Sequence, residues 1–133
     1  MENVKSINTE DIRIITINDV DLEYDVFDLD FASKYEKGLE LVQKEASKQQ
    51  GKKMADVIRT QCNSVFNFFD DLFGAGTSES IFGERVNLKE CIIAFKTFTE
   101  TINEQTEEIK PILDEIQEKK NQSLNRAQRR SKK

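Results

Sequence analysis

A chain of 133 residues has enough surface to bury one core and too little for two, and its balance of 34% charged and 37% hydrophobic residues lies short of the disordered class. Charge is unevenly placed. Residues 1–118 carry thirteen basic and twenty-five acidic groups, a net of −12, whereas Lys119, Lys120, Arg126, Arg129, Arg130, Lys132 and Lys133 form a basic tail with no acid among them. The polar N-terminus lacks the apolar segment of a secretory signal. The longest unbroken apolar run, Cys91–Phe95, is far below the roughly 20 residues of a spanning helix. With no histidine and no CxxC spacing, Cys62 and Cys91 read as reduced core thiols of a cytosolic protein.

In chain order, residues 1–11 read as a loose arm. Two β-rich runs about Asn18-Asp19 then predict a hairpin over 12–26. A two-residue turn there pairs Ile17 with Val20, Ile15 with Leu22 and Arg13 with Tyr24. That register gathers Ile15, Ile17, Val20, Leu22 and Tyr24 on one face, which must lie on helices or extend a sheet in another copy.

Asp28 or Asp30 can cap a surface helix over about 31–48, whose apolar stripe is Phe31, Tyr35, Leu39, Val42 and Ala46. The next helix, about 53–73, is the centre of the chain. Its residues Met54, Val57, Ile58, Cys62, Val65, Phe66, Phe69, Leu72 and Phe73 recur at helical spacing, and Phe68 widens the stripe enough for cover on more than one side. Gly74 fits a left-handed helix end, Thr77 or Ser78 can cap a short turn ending at Gly83, and Ile81 and Phe82 should anchor this connection in the core. A capping box at Asn87–Glu90 opens a helix over about 88–105.

Beyond it, Ile109, Ile112 or Leu113, and Ile116 form a sparse stripe in an amphipathic extension over 106–120, where Pro111 predicts a kink or break by disfavouring helical geometry at Lys110. A basic flexible tail follows over 121–133. The expected fold is mainly α (α+β): an N-terminal hairpin, then a small bundle of three to four helices.

No catalytic constellation emerges. The chain lacks a histidine base, GxSxG, a phosphate loop and metal-loop carboxylate spacing, so no enzyme, cofactor or metal site is expected. Adjacent Asp70 and Asp71 diverge on a helix and read as a solvated edge. Seven of nine phenylalanines fall between Phe66 and Phe98; most belong in a core, while Phe68 and Phe82 are candidates for an exposed anchor patch. Candidate partner-binding residues are therefore Phe68, Phe82, Ile109, Leu113, Ile116 and the tail's Arg126, Arg129 and Arg130.

Three stretches, INDVDLEYDVFD, GKKMADVIRTQCNSVFNFFDDLFGAGTSESIFGERVNLKECIIAF and NRAQRR, resemble the small tail assembly chaperones of long-tailed phages and prophages of Gram-positive bacteria. The resemblance spans most of residues 14–102 and the last ten. One departure is Asn18-Asp19, where that family's pattern has Asn-Gly. Membership would imply a chaperone encoded before the tape measure protein, made in a second, frameshifted form. It would hold that helical client soluble in the bacterial cytoplasm until tail tube subunits assemble, and be absent from the mature virion. Self-association is compatible with this reading. The alternatives are a permanent head-tail connector or other structural phage protein and, less favoured because the acidic body repels phosphates, a small nucleic-acid-binding regulator.

Overall fold

The computed structural model describes residues 9–119. They divide into two compact units between Glu100 and Thr101. The division falls inside a helix rather than at residue 105, the expected edge of the globular part.

The N-terminal unit opens with strands β1 (Arg13–Ile17) and β2 (Val20–Tyr24), paired antiparallel as the alternation predicts, with Ile17 opposite Val20, Ile15 opposite Leu22 and Arg13 opposite Tyr24. Asn18 and Asp19 both take positive φ, 48° and 66°, the signature of a type I′ turn. Short carboxylate and amide side chains tolerate this region better than other non-glycine residues, which explains how Asp19 can stand where glycine is usual. The Asn18 side chain donates to the Ile81 carbonyl at 3.1 Å, fixing the turn to the later connector. Ile17, Leu22 and Tyr24 are buried, whereas Thr16, Asp21 and Glu23 are exposed.

Helix α1 (Leu29–Ala46) is capped by Asp28, whose carboxylate accepts from the Phe31 N–H at 3.3 Å. Helix α2 (Met54–Phe73) follows. Phe31 meets Phe73, while Gln49, just past α1, accepts from Thr60, so the two helices run antiparallel. Phe68 of α2 comes close to the α1 backbone at Gly38. A β-carbon there would lie 2.8 Å from Phe68 Cδ1, so glycine alone admits the Phe68 ring at this point.

Val65, Phe69 and Cys62 of α2 are wholly buried, and Phe68 is nearly so. The cover comes from several sides, as the broad stripe of this helix predicts. Helix α4 (Leu88–Thr106) contributes Phe95 and Phe98 to the same core. Tyr24 of the hairpin packs edge-on against Phe98 and stacks on Phe31. The hairpin thus buries its apolar face on the helices within its own chain.

Between α2 and α4 lies α3 (Thr77–Phe82), which buries Ile81 and Phe82. Its cap differs from expectation. Gly76, in the left-handed region at φ 92°, occupies the N-cap position, and Gly74 lies at φ 113°, ψ 155°, outside that region. The free N–H of Ser78 is satisfied by Asp70, reaching back from α2 at 2.8 Å. Asp70 is therefore a half-buried cap rather than a solvated edge; only Asp71 is exposed. At α4, Asn87 caps the Glu90 N–H at 3.1 Å, and the Glu90 side chain pairs with Arg85 at 2.9 Å.

In the C-terminal unit, α4 tightens into a 3₁₀ turn at Glu107–Ile109 and helical structure resumes over 110–119, here α5. The expected departure of Lys110 from helical geometry does not occur: its φ and ψ are −56° and −47°. The change of pitch lies before the proline instead. Pro111 stands in the first turn of a new helical segment, where a missing N–H leaves no bond unmade.

Candidate functional site

Two of the candidate anchors are excluded by burial. Phe68 is 2% exposed and Phe82 5% exposed. Phe68 is enclosed by Tyr35, Phe69, Phe95 and Phe98, at ring separations of 5.0 to 6.1 Å. Phe82 lies 5.3 Å from Phe66 and 6.2 Å from Phe69. The phenylalanine excess is core, because each ring found other rings to cover it.

The C-terminal stripe behaves differently. Leu113 and Ile116 are 55% and 60% exposed, Ile112 beside them is also exposed, and Ile109 is half-buried. Steps of three and four along α5 bring Ile112, Leu113 and Ile116 to one side of the helix, with Asp114, Glu115 and Glu118 at other azimuths. At the start of this segment Lys110 pairs with Glu107 at 2.8 Å, and Thr106 donates to the Ile102 carbonyl at 2.8 Å. Local bonds thus set the helix while its apolar side stays exposed among the described residues. Ile112 and Leu113, alternatives in the sequence stripe, are both exposed on it. Arg126, Arg129 and Arg130 lie outside the described residues.

Elsewhere the surface offers shallow grooves. One of about 590 Å³ runs between α1 and α2, lined by Gly38, Leu41, Asn63, Asn67, Phe68 and Asp71. Among the described residues no group of three or more histidine, cysteine or carboxylate side chains could hold a metal ion, and no helix is long and apolar enough to cross a membrane.

Cys62 and Cys91 are both free and wholly buried, on facing helices of the N-terminal unit. Burial pushes the Cys91 thiol up to about 12, with a hydrogen bond to Cys62 acting in the same direction. Burial also raises the Tyr35 hydroxyl. At the exposed entrance to β1, the Arg13 guanidinium donates two hydrogen bonds to Asp11, 2.8 and 3.0 Å, and holds that carboxyl below the usual range.

Compared with known proteins, residues 18–133 match DUF6673, described as a family of unknown function. The chain belongs to the DUF6673 family. No curated protein and no solved structure matches it. The family match takes in β2 and every helix of this DUF6673 member, together with the apolar side of α5, whereas β1 precedes it.

Proposed function

We propose that this protein is a phage tail assembly chaperone that binds the tape measure protein through α5 and keeps it soluble while the tail tube forms. The observation that carries the reading is the apolar side of α5. Ile112, Leu113 and Ile116 are each more than half exposed at helical spacing, the form in which one amphipathic helix presents itself to another. The sequence resemblance of the FFDDLFG…IFGERVNL region and the NRAQRR end supplies the identity of the client. Binding acts by mass action: a client helix held on α5 is withdrawn from aggregation without any need for nucleotide.

In this reading the protein works in the cytoplasm of the bacterial host, touches the major tail tube protein during assembly and leaves before the virion matures. The buried Phe68 and Phe82 serve the fold, and client contact rests on α5. The test is co-expression with the protein encoded immediately downstream, comparing that partner's soluble fraction with and without this chain. A rise in solubility with co-purification supports the reading; an equally insoluble partner, with any frameshifted form also supplied, rejects it. A permanent connector predicts the chain in purified virions instead, and a nucleic-acid regulator predicts salt-dependent binding lost with the basic tail.

A further inference from the structure

Helix α2 carries no charged residue from Thr60 to Phe69, the longest uncharged run in a chain that is 34% charged. Cys62, Val65, Phe68 and Phe69 of this run lie in the core, whereas Asn63 and Asn67 are exposed and Ser64 is half-buried. Asparagine and serine are poor choices for the middle of a helix, because their side chains compete for its backbone groups. Here the side chains of all three form no bond within the chain among the described residues, so they neither cap a helix nor tie one element to another. Residues that weaken a helix and gain nothing inside the fold mark a surface kept for another purpose.

Asn63, Ser64 and Asn67 all line the groove of about 590 Å³ between α1 and α2. The charged groups among its lining residues are Glu45 and Asp71, with no cation beside them. They stand at opposite ends. From the point where Gly38 meets Phe68, Glu45 lies seven residues on along α1, and Asp71 lies three residues on along the antiparallel α2, in the other direction. At the rise of a helix this sets the two carboxylates roughly 15 Å apart along the groove.

We propose that this groove binds an extended segment of a partner protein, held by its backbone on Asn63 and Asn67 and carrying a basic side chain towards each end. The proposal is independent of client binding through α5. One turn apart on α2, the two carboxamides stand about 5–6 Å from each other. In an extended chain every second residue turns its N–H and C=O to the same side, at a repeat of about 6.6 Å. Each carboxamide has an acceptor and two donors, so the pair can bond both groups of two such residues. A partner helix would keep those groups for its own hydrogen bonds and leave the amides unmatched. The acid at each end selects lysine or arginine, and about four or five residues of extended chain cover the distance between Glu45 and Asp71. An acidic segment would set like charges together at both ends.

A synthetic library of short peptides, varied at every position and passed over the immobilised full chain, tests this. Retained peptides are expected to carry Lys or Arg at two positions about four or five residues apart. Asn63→Ala combined with Asn67→Ala should unfold no sooner than wild type, since alanine is the better helix former, yet bind those peptides about tenfold more weakly. Methylating the peptide's backbone nitrogens one at a time should weaken binding at alternate positions. Glu45→Gln combined with Asp71→Asn should remove the preference for basic ends and keep that alternation. Four results would overturn the proposal: no peptide retained by wild type, retained peptides without the basic pair, undiminished binding by the double asparagine variant, or no effect of methylation at any position, which would mean that the backbone is not what the groove holds.

Discussion

Asp70 and Ser78 are joined twice: the carboxylate accepts from the Ser78 backbone N–H at 2.8 Å and from its hydroxyl at 2.9 Å. The pair ties the last turn of α2 to the first turn of α3 and so fixes where Ile81 and Phe82 enter the core. Asp70→Ala should lower unfolding free energy by about 1–2 kcal/mol, the range for losing a charged cap, while Asp71→Ala should stay within about 0.5 kcal/mol. Urea denaturation of the two variants checks the contrast; equal effects would mean that the cap carries little.

Gly38 faces Phe68 at a distance that leaves no room for a methyl group. Alanine normally gains up to about 1 kcal/mol over glycine inside a helix. Here Phe68 is held by four other rings and cannot swing away, so overpacking should win, with a net loss of roughly 1–2 kcal/mol for Gly38→Ala. In a double-mutant cycle, Phe68→Leu should absorb part of that loss, giving a coupling term of at least about 0.5 kcal/mol. Strict additivity would contradict the close contact.

The buried Cys91 thiol makes the fold sensitive to alkali. In the unfolded chain it ionises from its ordinary 9.0, whereas in the folded chain it holds its proton to about 12. The folded state therefore binds more protons between those values, and stability present below pH 9 is lost as pH rises towards 12, at no more than about 1.4 kcal/mol per pH unit from this group. Tyr35 adds to the fall above its own ordinary value. Urea melts at pH 7, 9 and 10.5 should show the decline, and Cys91→Ala should start less stable but decline less steeply.

At the hairpin turn, Asp19 occupies positive φ without being glycine. Asp19→Gly should stabilise the protein by about 0.5–1 kcal/mol by removing the cost of the left-handed region, and the same change at Asp21, in the strand, should destabilise it. Thermal unfolding of the two variants gives opposite shifts if the turn is type I′.

Leu113→Asp combined with Ile116→Asp should change unfolding free energy by less than about 0.5 kcal/mol, because both side chains are already in water. Under the chaperone reading the same pair should abolish client solubilisation in co-expression. A client that remains soluble would move the binding surface away from α5.

How much of this was legible in the sequence follows from which contacts are local. The hairpin register came from the period of two about Asn18-Asp19, and α1, α2 and α4 from apolar steps of three and four, with ends observed within two residues of those expected. Asn87 announced itself as a cap, and Asp28 as one of two choices with Asp30, because a cap acts within its own helix turn. Asp70 did not, since its partner lies eight residues away beyond two glycines, and spacing rules within a helix made it look like a solvated edge. Gly38 carried a faint signal, a glycine in the middle of an otherwise good helix pattern, and no hint of Phe68 as its reason.

The candidate site divides the same way. A stripe at Ile109, Leu113 and Ile116 is a property of helical periodicity, so residues 106–120 alone pointed to it. That Phe68 and Phe82 are covered while Ile112, Leu113 and Ile116 are not could not be read from periodicity, because a phenylalanine on an apolar stripe has the same pattern whether rings or water surround it. The sequence by itself determined the elements, their caps and the amphipathic direction of each, all of which depend on neighbours a few residues away. Only the tertiary structure decided which apolar faces meet and which stay wet, because burial is settled by side chains brought together from distant parts of the chain: Tyr24 on Phe98, Phe82 on Phe66, and Gly38 giving way to Phe68.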